Sequence, residues 1–216
     1  IHSGSTLDSV FVNPGPNGCY DKTLHVLASA VILGSGTVSI SSTWMSFSFN
    51  NLAVDPEIQS VSISAPNVTL AGKTTAQTIN IVNTEKGILV GRVEGSMNVQ
   101  GDVQLGACHF PESLSSIGDI SFSNGEIGIY AADSENCLAK FETLLLQSVE
   151  FGEFSSMNLV GFTKYDKSQY TLITGTIEGK PKDDISGWEI VYSATSMIMK
   201  QIVLTTDTTT QQTTQQ

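Results

Sequence analysis

A chain of 216 residues is long enough for one large β domain or two small ones, and at that size it buries roughly 70% of its unfolded surface without metals or many disulfides. Only 14% of the residues are charged, against about 25% in an average soluble protein. Net charge is -11 and Arg92 is the only arginine, which leaves no basic stripe to grip phosphates and argues against nucleic acid and anionic membrane as partners.

The chain begins at Ile1 rather than Met, as a mature chain with its leader removed would. Thr6 to Val12 (TLDSVFV) reads as a short strand. Asn13-Pro14-Gly15-Pro16-Asn17-Gly18 follows it: two prolines block regular pairing and two glycines let the chain bend. Residues 1–18 are therefore expected to form a strand arm on a hinge, with Leu7, Val10, Phe11 and Val12 as its pairing side chains. Residues 19–205 are expected to form a single β domain.

The apolar run from Leu24 to Leu33 contains His25 and Ser29 and is far shorter than the ~20 residues that cross a bilayer. Gly34-Ser35-Gly36 lacks the lysine and helix of a phosphate loop and reads as a turn. Val38, Ile40, Ser42 and Trp44 alternate with polar neighbours. Met45, Phe47 and Phe49 then take the apolar phase, a switch that predicts a β-bulge. Val61 and Ile63 pair in phase, as do Val68 and Leu70, with Ala65-Pro66-Asn67 predicted as a turn between them. Asn67-Val68-Thr69 matches the N-glycosylation pattern. Ile79 and Ile81 continue the set.

From Leu89 to Ala107 every odd position is apolar or glycine, and the even positions are almost wholly polar. This predicts a half-buried antiparallel strand. Unbroken it would run about 60 Å, so Gly95 and Gly101 are expected to mark bends or turns. Asn124-Gly125 lies between Ile120/Phe122 and Ile127/Ile129, the strongest short hairpin signal. Leu138 to Phe151 fits a helical stripe and a strand equally. Strands are predicted at Met157–Phe162, Tyr170–Glu178, Trp188–Ala194 and Met197–Leu204. Residues 206–216 (TDTTTQQTTQQ) carry no apolar residue and read as a flexible tail.

Chemistry-bearing residues do not converge. No CxxC pair supports a metal or redox site among Cys19, Cys108 and Cys137. Cys108 and Cys137 are the expected disulfide, closing a loop of about 30 residues worth roughly 3–4 kcal/mol. His2, His25 and His109 lack an orienting partner, and there is no GxSxG or SxxK motif. Glu150/Glu153, Asp133/Glu135 and Asp183/Asp184 are the candidate carboxylate pairs of a glycosidase, and they read as solvated acids. No catalytic residue, cofactor or metal is assigned, and the chain is expected not to be an enzyme. Trp44, Trp188, Tyr165, Tyr170 and Tyr192 are either core packing or a sugar-stacking surface.

The many turns and regular strand spacing predict an all-β fold, an antiparallel β-sandwich of elaborated Ig-like or jelly-roll-like type. A β-solenoid is the runner-up, disfavoured because no fixed period repeats. The expected role is a structural subunit of an extracellular or cell-surface assembly, a pilus-like filament or surface layer. It would polymerise with itself by adding the arm to a neighbour's sheet edge. An adhesin or carbohydrate-binding module with glycan partners, or a viral capsid or spike domain, are the alternatives.

Overall fold

The computed structural model describes residues 23–26, 30–110, 112–130, 142–160, 168–183, 185 and 187–202. The protein is all-β with a mixed sheet, and no helix occurs among the described residues. In chain order the strands are β1 (Thr23–Val26), β2 (Ala30–Ile32), β3 (Gly36–Ser41), β4 (Ser46–Phe49), β5 (Leu52–Val54) and β6 (Ile58–Leu70). Next come β7 (Lys73–Leu89), β8 (Arg92–Gln100), β9 (Val103–Leu105), β10 (Ser115–Ile117), β11 (Asp119–Tyr130) and β12 (Leu144–Val160). β13 (Gln169–Glu178), β14 (Lys182–Asp183), β15 (Trp188–Tyr192) and β16 (Ser196–Gln201) follow.

Up to β14 every pairing is parallel, and each segment lies against the segment one turn of chain later. On a first face β1 pairs β4, β4 pairs the end of β6, and the ladder runs on through the end of β7, β9, and the later parts of β11 and β12 to β14. A second face runs β2, β5, the starts of β7 and β8, β10, the start of β12, and β13. A third runs β3, the start of β6, the middle of β7, β8, the start of β11, the middle of β12 and the end of β13. The chain visits the three faces in that order again and again, so it winds rather than folding back. Among the described residues only β13–β16 and β15–β16 are antiparallel; they cover the last turn.

Alternation explains what fills the middle. Strand side chains point to opposite faces in turn, and parallel in-register stacking puts equivalent inward residues on top of one another. Val38, Val61, Ile79, Met97, Ile120 and Val149 form one such column; all are buried. Ile40, Ile63, Ile81, Val99, Phe122 and Phe151 form the next. There the Phe122 and Phe151 rings stack at 5.8 Å between centroids. Each buried Val, Leu, Ile or Phe contributes about 1.5–3 kcal/mol.

The corners correct several expectations. The stretch from Leu89 to Ala107 is not one antiparallel strand. Leu89, Val93, Met97, Val99, Val103, Leu105 and Ala107 are buried as expected, but the stretch is split between β7, β8 and β9, all in parallel ladders. Gly95 and Gly101 do mark bends, with φ of 113° and 107°, and Gly91 adds another at 82°. Asn124-Gly125 is not a hairpin, because β11 runs through it. A type I′ turn needs positive φ at both residues; only Gly125 has it. The ladder merely shifts register there, while Asn124 Oδ1 accepts a bond from the Gly101 N–H at 3.1 Å. Ala65-Pro66-Asn67 is likewise a register shift inside β6 rather than a turn between strands.

The phase switch near Trp44 is made by a turn and not by a bulge. β3 ends at Ser41 and β4 begins at Ser46, and Ser42 Oγ accepts bonds from the Trp44 and Met45 N–H groups at 3.3 and 2.9 Å. Leu144 to Phe151 is strand, in β12: Leu144 and Leu146 are buried while Leu145 is 61% exposed. Positions 138–141 of the helix candidate lie outside the described residues. The expected sandwich is not confirmed, since outside the β13–β16–β15 cap the ladders are parallel. Alternation specifies which side chains go in but says nothing of strand direction.

Candidate functional site

The third face offers the most regular surface. Between the inward residues, outward positions stack as Ser39, Ser62, Asn80, Asn98 and Ser121. Flanking them stand Thr37 beside Ser60, Thr78 beside Ser96, and Ser41 beside Ser64. Neighbouring strands lie about 4.8 Å apart and alternate residues about 6.7 Å along each strand, so hydroxyls and amides form a flat, uncharged grid. Asn98 Nδ2 donates to Asn80 Oδ1 at 2.8 Å, locking two grid points together. Above Ser121 the column changes sign: it continues with Glu150 and Glu178, both exposed. At the corner after β3, Trp44 is 55% exposed.

A second feature is the corner between the first and second faces. It is crossed by two residues between β4 and β5, β6 and β7, and β7 and β8. The later crossings are residues 106–114, 131–143 and 161–168. The added length therefore falls at the same crossing in each later turn, as per-repeat insertions do in coil-stacked folds. The first of these crossings folds back over the earlier corners, making a cleft of about 180 Å³ lined by Asn50, Asn51, Gly72, Val90, Phe110 and Glu112.

The second face carries a charge cluster that sequence reading missed. Lys73 Nζ lies 2.9 Å from Glu94 Oε2, and Arg92 Nε lies 3.0 Å from Glu94 Oε1. Hydrogen bonding from Lys73, with the charges of Lys73 and Arg92, holds the Glu94 carboxyl below its ordinary value against a smaller desolvation effect. Arg92 and Glu94 share a strand face by spacing alone. Lys73 joins them only through the β7–β8 register.

The residues singled out in the sequence scatter. Leu7, Val10, Phe11 and Val12, like His2, Cys19, Asp133, Glu135, Cys137, Tyr165 and Asp184, lie outside the described residues. Cys108 is half-buried in the turn after β9. Asn67 sits within β6, where its Nδ2 donates to Ser46 Oγ at 3.0 Å and Glu85 Oε2 at 3.1 Å. Both amide hydrogens are thus engaged. His109 is exposed in the same turn as Cys108, and His25 lies on β1 opposite Ser48. Glu150 and Glu153 are both exposed on β12, and Asp183 pairs across β14 with Met157.

The described aromatic candidates do not form one surface. Trp188 is 9% exposed and packs edge-on against Tyr170 at 5.9 Å, so both are core, whereas Trp44 stands in solvent. Among the described residues, no group of three or more His, Cys, Asp or Glu side chains could hold a metal ion, and no helix is long and apolar enough to cross a membrane. The chain matches no family model, no curated protein and no solved structure.

Proposed function

We propose that the chain is a three-faced β-solenoid serving as a non-enzymatic structural subunit of an extracellular or cell-surface assembly. The observation that carries this reading is the stack itself. Apolar columns run through successive turns, and added turns lengthen such a body instead of deepening a cavity. A wall of uncharged hydroxyls and amides suits a module that works by surface contact.

Self-assembly remains the proposed mode. The first turn of a coil stack is a strand edge by construction, and an arm bearing Leu7, Val10, Phe11 and Val12 on a Pro/Gly hinge has the length and pattern to extend a neighbour's ladder. Electron microscopy of the native material, with and without residues 1–12, tests this. Filaments or a layer that are lost on deletion while the monomer stays folded support it. Assemblies of unchanged yield would overturn it.

The uncharged grid with Trp44 at its corner favours a second reading, attachment to neutral glycans through the third face. A glycan array decides it: Trp44→Ala should abolish any signal, with folding intact. Trp188→Ala serves as a folding control because that ring is buried. We also propose that Cys108 and Cys137 are joined. In sequence they fall between β9 and β10 and between β11 and β12, successive crossings of the same kind. Peptide mapping under non-reducing conditions should recover the linked pair, and a Cys137 peptide alkylated without prior reduction would exclude it.

A further inference from the structure

The covered end of the stack contains a cleft that none of the features above uses. Its volume is about 350 Å³, and it is lined by Ile177, Gly179, Lys180, Tyr192, Ser193 and Ala194. Its walls are fixed independently of any ligand. The Ile177 N–H donates to the Ala194 carbonyl at 3.1 Å and the Gly175 N–H to the Thr195 carbonyl at 3.0 Å, pinning the β15–β16 turn onto β13. Within that turn Ser193 Oγ accepts bonds from the Ser196 and Thr195 N–H groups at 2.9 and 3.3 Å. On the opposite side Gly179 (φ 75°) lies so close to the turn below that a Cβ there would fall 2.0 Å from the Phe151 carbonyl oxygen.

Lys180 Nζ stands 5.6 Å from the centroid of the Tyr192 ring. Among the described residues no ion pair involves Lys180, whereas Lys73 and Arg92 share Glu94. The aromatic ring holds the ammonium at the mouth of the cleft, and Ile177 and Ala194 supply an apolar floor. We infer that this cleft binds an acidic saccharide unit, its carboxylate on Lys180 and its C–H face on the floor beside Tyr192. A simple inorganic anion would leave the floor bare, and a neutral sugar would bring no opposite charge to the ammonium. The size suits a single small ligand, being near the lower end of ordinary binding clefts. The inference stands whether or not the chain polymerises.

Titration of the whole chain with glucuronic acid, glucose and acetate, followed by NMR, tests it. Glucuronic acid should saturate on the order of millimolar, with glucose and acetate at least about tenfold weaker. Lys180→Gln should weaken glucuronic acid by about tenfold and leave glucose unchanged, with an unaltered melting midpoint because the side chain is exposed. Tyr192→Ala should weaken it further, and Tyr192→Phe should not. Equal binding of glucose and glucuronic acid, wild-type affinity in Lys180→Gln, or no saturable binding to the unmodified chain would each overturn the assignment.

Discussion

The turns of chain from β3 to β9 and those after β9 are built on the same inward columns but differ in the length of chain per turn and in the exterior column. In the first region the neighbouring-turn bonds donated by Lys73 to Asn51 and by Asn98 to Asn80 span 22 and 18 residues; glycines of positive φ occur in both regions. In the second the Asp102–Glu126 bond spans 24 residues and the Asn158–Glu126 bond 32. The extra length falls between the strands of the first face and those of the second, and the exterior column turns from amide and hydroxyl to glutamate. Stacked parallel strands fix side-chain register on the faces, so extra length is tolerated only where the chain is already leaving one face for another.

The sharpest way to break this comparison is at a tight corner. A Cβ at Gly95 would lie 1.7 Å from the Ala76 carbonyl oxygen in the turn below. Gly95→Val combines that clash with a positive φ unsuited to a branched residue. It should cost about 5 kcal/mol or prevent folding, read by chemical denaturation. Gly187→Ala is the contrast: its φ of 80° is also positive, but nothing lies within 4 Å. It should cost only about 1–2 kcal/mol.

Next in size is the core column that both regions share. Phe122→Ala removes a ring with 1% exposure stacked on Phe151, and should cost about 3–4 kcal/mol. Because the stack is nearly one-dimensional, its loss should be felt by neighbouring turns first. Hydrogen exchange should show β8, β11 and β12 losing protection before β3. Uniform loss of protection would mean that the two regions unfold as a single unit.

Trp188→Ala, in the antiparallel cover, should instead open β15 and β16 locally, with rapid exchange there and the inner columns still protected. The smallest effect is expected from the Lys73–Glu94–Arg92 cluster, because its members are substantially exposed. The folded-state carboxyl of Glu94 is depressed. Its contribution is therefore present above the ordinary carboxylate pKa and disappears as pH falls through the lowered one. Glu94→Gln should flatten that slight acid limb in a series of melting midpoints while leaving neutral stability nearly unchanged.

Residue patterns made much of this legible in advance. The burial of Val38, Ile40, Ile79, Ile81, Val93, Met97, Val103 and Leu105 follows from alternation alone. So do the bends at Gly95 and Gly101, where a left-handed conformation favours a residue without Cβ. The candidate surfaces were far less visible. The grid of Ser39, Ser62, Asn80, Asn98 and Ser121 draws one residue from each successive turn, and the cleft beneath Tyr192 joins Lys180 to a turn on a later strand. Neither has a local signature, and the unequal turn lengths hide the winding from any search for a fixed period.

What the chain determined by itself is the two-sidedness of every strand: period-2 apolarity dictates an all-β protein with a dry interior and a polar, weakly charged exterior. What only tertiary structure decided is the direction in which those strands meet. Asn124-Gly125 could reverse the chain or merely bend it, and the same inward residues are buried either way. The outcome turned on stacking. With Phe122 over Val99 and under Phe151, continuing forward preserves both column contacts and ladder hydrogen bonds, and a reversal would forfeit them.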